Sequence, residues 1–349
     1  MEYGGPFDTS SNEPFIRESP GFLEEDWLLF RSGRDAMRAL ARSLGPRPVL
    51  LPALCCESMI VPFLQNGCSV GFYRLREDLR ADEADVLRKA EQGTLLVYLS
   101  YFGIRPFEDR FLEKLRERGV LLAEDRTQDL VIRRAPGGFQ PDAVFASLRK
   151  WGAVPEGGML QTELTLEIGS ADSRFGDMQL KVMEMKSRYL ASGDGALKKE
   201  LLRLQHEAEA LLDLDGPPAA MSEQHRRMLE RLDLYAIGRA RQRNLHRLRK
   251  RLEPLRQAGK LRFLSENAAD SALYLPIMLE ERERVKLAMW EQGIYHPVIW
   301  PEPEEAAGIC PVSHYVVSHM LALLCDQRCS SEDMDHLADR LIECINQKE

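Results

Sequence analysis

From residue 47 onward, short apolar runs alternate with stretches whose apolar residues recur every three or four positions. The runs fall at 49–54, 70–75, 94–102, 120–123, 143–147 and 159–162, lengths that suit strands better than buried helices. Between them, 107–118 puts Phe107, Phe111, Leu112 and Leu115 at helical spacing. Strands apolar throughout and joined by amphipathic helices predict a doubly wound α/β layout, with crossover helices covering a mainly parallel sheet.

The pattern changes after residue 176. Segments 197–214 and 221–255 carry leucines at three- and four-residue spacing, interrupted by Asp215-Gly216-Pro217-Pro218, which predicts helices with a turn between them. The tail reads as a small α+β domain: a strand at 271–279, a helix at 280–292 ended by Gly293, a second strand at 294–300, and a closing helix at 331–345 capped by Ser330 or Ser331. Three units result: an irregular segment 1–30, a large domain 31–235 and a small C-terminal domain 236–349. The first residues, rich in Gly, Pro and Ser, are expected to pack on a partner subunit.

Composition narrows the function classes. The chain has 349 residues, 44% hydrophobic and 29% charged, enough for a substantial core without staples. Its net charge of -8 offers no general attraction to nucleic acid or anionic membranes, and no stretch reaches the ~18 apolar residues that a membrane span needs. Small molecules and other protein chains are the expected partners. The arginine-rich stretch 226–260 is interleaved with leucines, which reads as a solvated helix face before it reads as a nucleic-acid surface. Seven cysteines, an odd number, and the absence of a secretion-signal pattern at the start point to a reducing cytoplasm. The adjacent Cys55 and Cys56 read as buried thiols, because no CxxC or nearby His completes a metal set.

Open α/β sheets bind ligands beyond the carboxyl ends of their strands, so the residues that follow the apolar runs carry the chemistry. VLLAED ends in Glu124 and Asp125, AVFASLRK in Ser147 and Lys150, and LLVYLSYFG in Ser100, Tyr101 and Phe102. A buried lysine amine has a depressed pKa and is nucleophilic towards an aldehyde. A carboxylate against a pyridine nitrogen keeps that ring protonated and able to accept electrons. Ser32-Gly33-Arg34, opening the helical pattern 36–44, supplies amides, a small residue and a cation for a phosphate. An amine, an acid and a phosphate cradle are what pyridoxal 5′-phosphate (PLP) requires. Each item alone has a bland reading as rim lysine, helix cap or plain turn; their order raises the cofactor reading above it.

That order resembles the DegT-type sugar aminotransferases among the fold-type I PLP enzymes. FRSGRDAMRAL is similar to the family's Ser-Gly opening, LSYFG to its His-x-Tyr-Gly element, EDRTQDL to its Glu-Asp-x-Ala-Gln box, FASLRK to its Schiff-base lysine and PEGGML to its Gly-rich turn. GIYHPVIWP and HMLALLCDQRCSSEDM resemble its small-domain strand and closing segment, so the likeness runs from about residue 30 to 345. It implies a three-layer PLP-transferase large domain, a smaller α+β domain and a homodimer. It also implies that Lys150 forms the Schiff base, Asp125 pairs with the ring nitrogen, Gln128 sits near the ring hydroxyl and Thr127, in place of alanine, packs on one ring face. The amides of Gly33 and Arg34 and the Ser147 hydroxyl would hold the phosphate, with Ser32 beside them.

The departures concern the pocket walls. Cys56 stands about where the family has a stacking aromatic, which leaves stacking to Tyr101 or to nothing, and Ser100 replaces the family's His. His296, Trp300 and Arg328, with Tyr295, fall where the family's small domain faces the site; their bland reading is packing, and Arg328 or His296 is the choice for a donor carboxylate. Three functions follow: an aminotransferase moving an amino group from a donor such as glutamate to a small keto substrate, for which the resemblance implies a nucleotide-linked keto-sugar, that family's usual acceptor; a PLP-dependent lyase, decarboxylase or dehydratase; and a non-catalytic regulatory protein on the same scaffold.

Overall fold

The computed structural model describes residues 2–18, 27–130, 138–264 and 273–347. In chain order the large domain holds β1 (Leu28–Phe30), α1 (Gly33–Leu44), β2 (Pro48–Pro52), α2 (Glu57–Leu64), β3 (Ser69–Tyr73), α3 (Glu83–Lys89), β4 (Leu95–Leu99), α4 (Asp109–Glu117), β5 (Leu121–Asp125), β6 (Ala143–Ser147) and β7 (Gly158–Thr162). These strands form one seven-stranded sheet in the order β1-β7-β6-β5-β4-β2-β3. The pairs from β3 to β6 are parallel, whereas β7 runs antiparallel to both β6 and β1. All five residues of β4 are buried, as expected where helices cover both faces of a sheet. Architecture and sequence pattern agree: α/β with a mainly parallel sheet.

Beyond the sheet, α5 (Arg174–Ser192) and α6 (Gly195–Ala210) form a helical hairpin, followed by α7 (Glu223–Glu230) and α8 (Leu234–Gln257). The helical pattern of 221–255 is broken before α8, where the Asp233 carboxylate accepts the Ala236 amide at 2.9 Å as its N-cap. A three-stranded antiparallel sheet of β8 (Arg262–Phe263), β9 (Tyr274–Met278) and β10 (Met320–Leu324) completes the fold with α9 (Arg282–Glu291), α10 (Pro311–His319) and α11 (Ser331–Asn346). Its own apolar core joins Leu248 and Leu252 of α8 to Ile277, Leu323 and Leu337. The arginines of α8 are largely spent within the fold: Arg241 is buried and bonds the Leu273 carbonyl at 3.1 Å, and Arg247 and Arg251 pair with Asp335 and Asp339 of α11.

Two expected elements differ. The strand expected at 294–300 is irregular, since Pro297 has no N–H to donate to a ladder; β10, whose five residues are all buried, takes the place beside β9. The segment expected to be irregular at 1–30 contains β1, paired to β7 from Leu28 to Phe30, and its early residues pack on this chain itself: Tyr3 donates to Asp333 at 2.7 Å, and Glu2 pairs with Lys198 at 2.6 Å. Residues 19–26 of that segment, and 271–272 of the strand expected at 271–279, lie outside the described residues.

Candidate active site

The start of α1 is fixed by a buried polar cluster. The Ser32 hydroxyl accepts the Asp35 amide at 3.1 Å and donates to the Asp35 carboxylate at 2.7 Å, so the cap is bonded in both directions. That carboxylate also takes two 3.0 Å bonds from Arg31 and one of 3.0 Å from Arg38, which pays for its complete burial. Glycine is needed where β7 passes this turn, because a Cβ on Gly158 would stand 2.0 Å from the Ser32 carbonyl oxygen. A Cβ on Gly33 would stand 3.4 Å from that of Ser147, so the helix start lies against the end of β6.

A cavity of about 210 Å³ opens there, at the carboxyl ends of β4, β5 and β6. Ser32, Gly33 and Arg34 line it from α1; Asp125, Thr127 and Gln128 from the end of β5 and the turn after it; Ser147 and Lys150 from β6 and the turn that follows. Cys56, Ser58 and Met59 at the start of α2 close another side, and Trp300 reaches in from the small domain. A larger cleft, about 900 Å³, lies against Leu95, Leu121, Asp142 and Thr162, at the opposite ends of the strands from where such sheets bind ligands.

Neither of the two central groups has a charged partner among the described residues. Among the described residues the Lys150 amine makes no ion pair or hydrogen bond; its side chain is open to the cavity while protein surrounds it. Burial holds its pKa below the ordinary lysine value, with Arg149 and Arg34 pushing the same way and Glu209 and Cys56 opposing. Asp125 has no cation beside it among the described residues. Burial pushes its carboxyl up to about 6, against the hydrogen bonds from Thr127, whose amide donates to it at 2.7 Å. A carboxylate raised in this way is one that lacks a positive partner, and a protonated pyridine nitrogen is such a partner. An unpartnered amine, an unpaired carboxylate and a capped helix start on one cavity therefore fit PLP.

The supporting bonds are specific. Thr127 accepts the Ser147 amide at 3.1 Å through its hydroxyl and the Trp151 indole N–H at 2.8 Å through its carbonyl, which ties the turns after β5 and β6 together. The Gln128 side chain lines the cavity and also accepts the Phe102 amide at 2.7 Å, where Phe102 has a positive φ of 52°. Cys56, whose thiol burial pushes upward, lies 3.0 Å from the Ser58 hydroxyl.

Four of the residues singled out in the sequence stand apart from this cavity. Tyr101 is buried behind it, donating to the Leu54 carbonyl, with its ring edge-on to Trp300 at 6.5 Å; the hydroxyl of buried Ser100 has no hydrogen-bond partner among the described residues. His296 accepts the Leu324 amide at 3.2 Å, and burial pushes its pKa down to about 3, so it is neutral. Arg328 is held by Asp326 at 2.6 Å and by the Pro6 carbonyl at 3.0 Å, on a separate cavity beside the N-terminal segment. Sequence reasoning also missed two charged lining residues, Arg149 and Glu209. Arg149 is visible in hindsight as the neighbour of Lys150; Glu209 comes from α6 with no local signal.

No protein-family profile and no curated protein sequence matches this chain. Solved structures do. A DegT/DnrJ/EryC1/StrS aminotransferase from Brucella abortus superposes with a TM-score of 0.60 at 16% identity, over 99% of this chain and 92% of that one. NtdA from Bacillus subtilis, with bound cofactor PMP, gives 0.63 at 16% identity over 92% of this chain and 73% of that one. A Streptococcus pneumoniae protein described as a sugar aminotransferase, in its PLP form, gives 0.67 at 13% identity over 99% and 98%. The chain therefore has the fold of these aminotransferases.

Proposed function

We propose that this chain is a PLP-dependent aminotransferase that passes an amino group from a donor amino acid, glutamate foremost, to a small keto substrate of the sugar class. One observation carries the reading: the Lys150 amine, with no hydrogen bond or ion pair among the described residues, and the Asp125 carboxylate, with no cation beside it, line a single cavity beside the start of α1. PLP, when bound, supplies an electron sink for a carbanion at the substrate α-carbon. Lys150, whose pKa burial lowers from the ordinary lysine value, takes a proton from that carbon and returns it. Asp125 keeps the ring nitrogen protonated, while the Gly33 and Arg34 amides and the Ser147 hydroxyl hold the phosphate. Trp300 supplies an aromatic wall from the small domain, on a cavity where Cys56 occupies the side that the resemblance gives to a ring. The sugar acceptor and the homodimer both rest on the likeness to the DegT-type enzymes. Seven free cysteines accord with a reducing cytoplasm.

Adding glutamate to PLP-loaded protein should shift the spectrum to that of the amine form and release one equivalent of 2-oxoglutarate. The loss of stacking at Cys56 supports the lyase, decarboxylase or dehydratase alternative, which predicts instead that amino acids are consumed over many turnovers, releasing carbon dioxide and an amine, or a leaving group with ammonia and a keto acid, without converting the cofactor to its amine form. A loaded protein that does neither with any amino acid points to the regulatory reading.

A further inference from the structure

We propose that Arg34 and Arg149 form an anion site at the cofactor end of the cavity, and that Glu209 occupies it until a phosphate displaces it. The proposal rests on the PLP reading above. Arg34 Nη1 lies 3.4 Å from one Glu209 carboxylate oxygen and 3.2 Å from the Glu209 carbonyl oxygen, and Arg149 pairs with the other carboxylate oxygen. Gln179 of α5 also reaches that second oxygen at 3.4 Å, and the Arg149 guanidinium lies over the Phe175 ring at 4.7 Å, so the clamp is built rather than accidental. Arg34 is shared with Asp213, at 3.5 Å. The Arg34, Arg149 and Glu209 side chains retain 20%, 19% and 33% of their exposure, and all three face the cavity that Gly33, Ser147 and Lys150 line.

Two guanidinium groups on one carboxylate exceed what a monoanion needs and suit a phosphate, whose extra charge and oxygens can take both forks. A bound phosphate at the α1 start would meet the same donors, so it and Glu209 compete. Glu209 keeps the empty cavity close to neutral, spares the arginines mutual repulsion and, through α6, links cofactor loading to the α5–α6 hairpin. PLP loading is then an exchange of anions.

The test uses the full chain, wild type and Glu209→Gln, titrated by calorimetry with inorganic phosphate, PLP and pyridoxal. Glu209→Gln should bind phosphate and PLP about tenfold more tightly, the scale of one charge-assisted hydrogen bond, and bind pyridoxal as the wild type does. Glu209→Asp, with a carboxylate one methylene short, should show a smaller gain of the same sign, and Arg149→Met should weaken phosphate and PLP together; circular dichroism checks the folding of each. Phosphate affinity unchanged or lowered in Glu209→Gln and Glu209→Asp overturns the proposal. Pyridoxal, which has no phosphate, reports separately on the PLP reading: failure of borohydride to fix it onto wild-type Lys150 sinks that reading, while the phosphate arm still decides the anion site.

Discussion

The Ser147 amide donates to the Thr127 hydroxyl at 3.1 Å, and this bond fastens the strand end that leads to Lys150 to the turn that follows Asp125. The end of one strand and the turn after its neighbour are thereby held together beside the amine and the acid. The indole of Trp151, bonded to the Thr127 carbonyl at 2.8 Å, adds a second tie across the same gap.

Thr127→Val keeps the shape of the side chain and removes the acceptor, leaving the Ser147 N–H without that partner. Chemical denaturation should show a loss of about 1 kcal/mol, the scale of one partly buried hydrogen bond. PLP affinity should fall as well, because the two turns are no longer held in register. A variant as stable as the wild type would show that the tie is dispensable.

The Asp125 carboxyl, raised by burial from 3.8 to about 6, binds its proton more tightly in the folded protein than in the unfolded chain. Its contribution to stability is therefore full below pH 3.8 and is lost as pH rises through 6, leaving a constant penalty above. Asp125→Asn should make the cofactor-free protein more stable than wild type by about 2 kcal/mol above pH 7, and the gain should vanish towards pH 4. The same variant should bind PLP more weakly, having lost the partner of the ring nitrogen. Thermal melts at both pH values, free and loaded, check both signs; parallel melting curves for the two proteins at every pH would remove Asp125 as a group whose charge is strained in the empty site.

Gly158→Ala would drive a Cβ to 2.0 Å from the Ser32 carbonyl oxygen, a backbone atom that cannot swing aside. Either β7 or the start of α1 must move. The expected cost is about 3 kcal/mol, with weakened phosphate binding even in the molecules that fold. Unchanged melting and phosphate affinity would contradict the close approach of these two segments.

Much of the lining of this cavity was legible in the sequence because a parallel sheet collects its strand ends. Each apolar run announces a strand, and the polar residues just past Asp125 and Ser147 must meet at one edge whatever the loop details. The strand expected at 294–300 failed because apolar content outweighed the missing N–H of Pro297, whereas 320–324, read only as part of a closing segment, is wholly buried sheet. Tyr101 looked like a stacking ring from its position, but a side chain two residues beyond the strand points according to the turn, and this one bonds back to Leu54. Glu209 had no chance of being read. It arrives from a distant helix, and only the packing of α5 on α6 brings it to Arg34 and Arg149.

The pairing of residue 150 with a pyridoxal carbonyl is the claim from which the rest follows. Incubating the purified chain with PLP, reducing with borohydride and mapping the product by peptide mass spectrometry tests it directly. The account predicts an absorbance band near the visible edge and a pyridoxyl mass on the peptide containing Lys150, both absent in Lys150→Ala. A wild-type protein that stays colourless and unlabelled, or carries the label on other lysines with equal yield in Lys150→Ala, contradicts it.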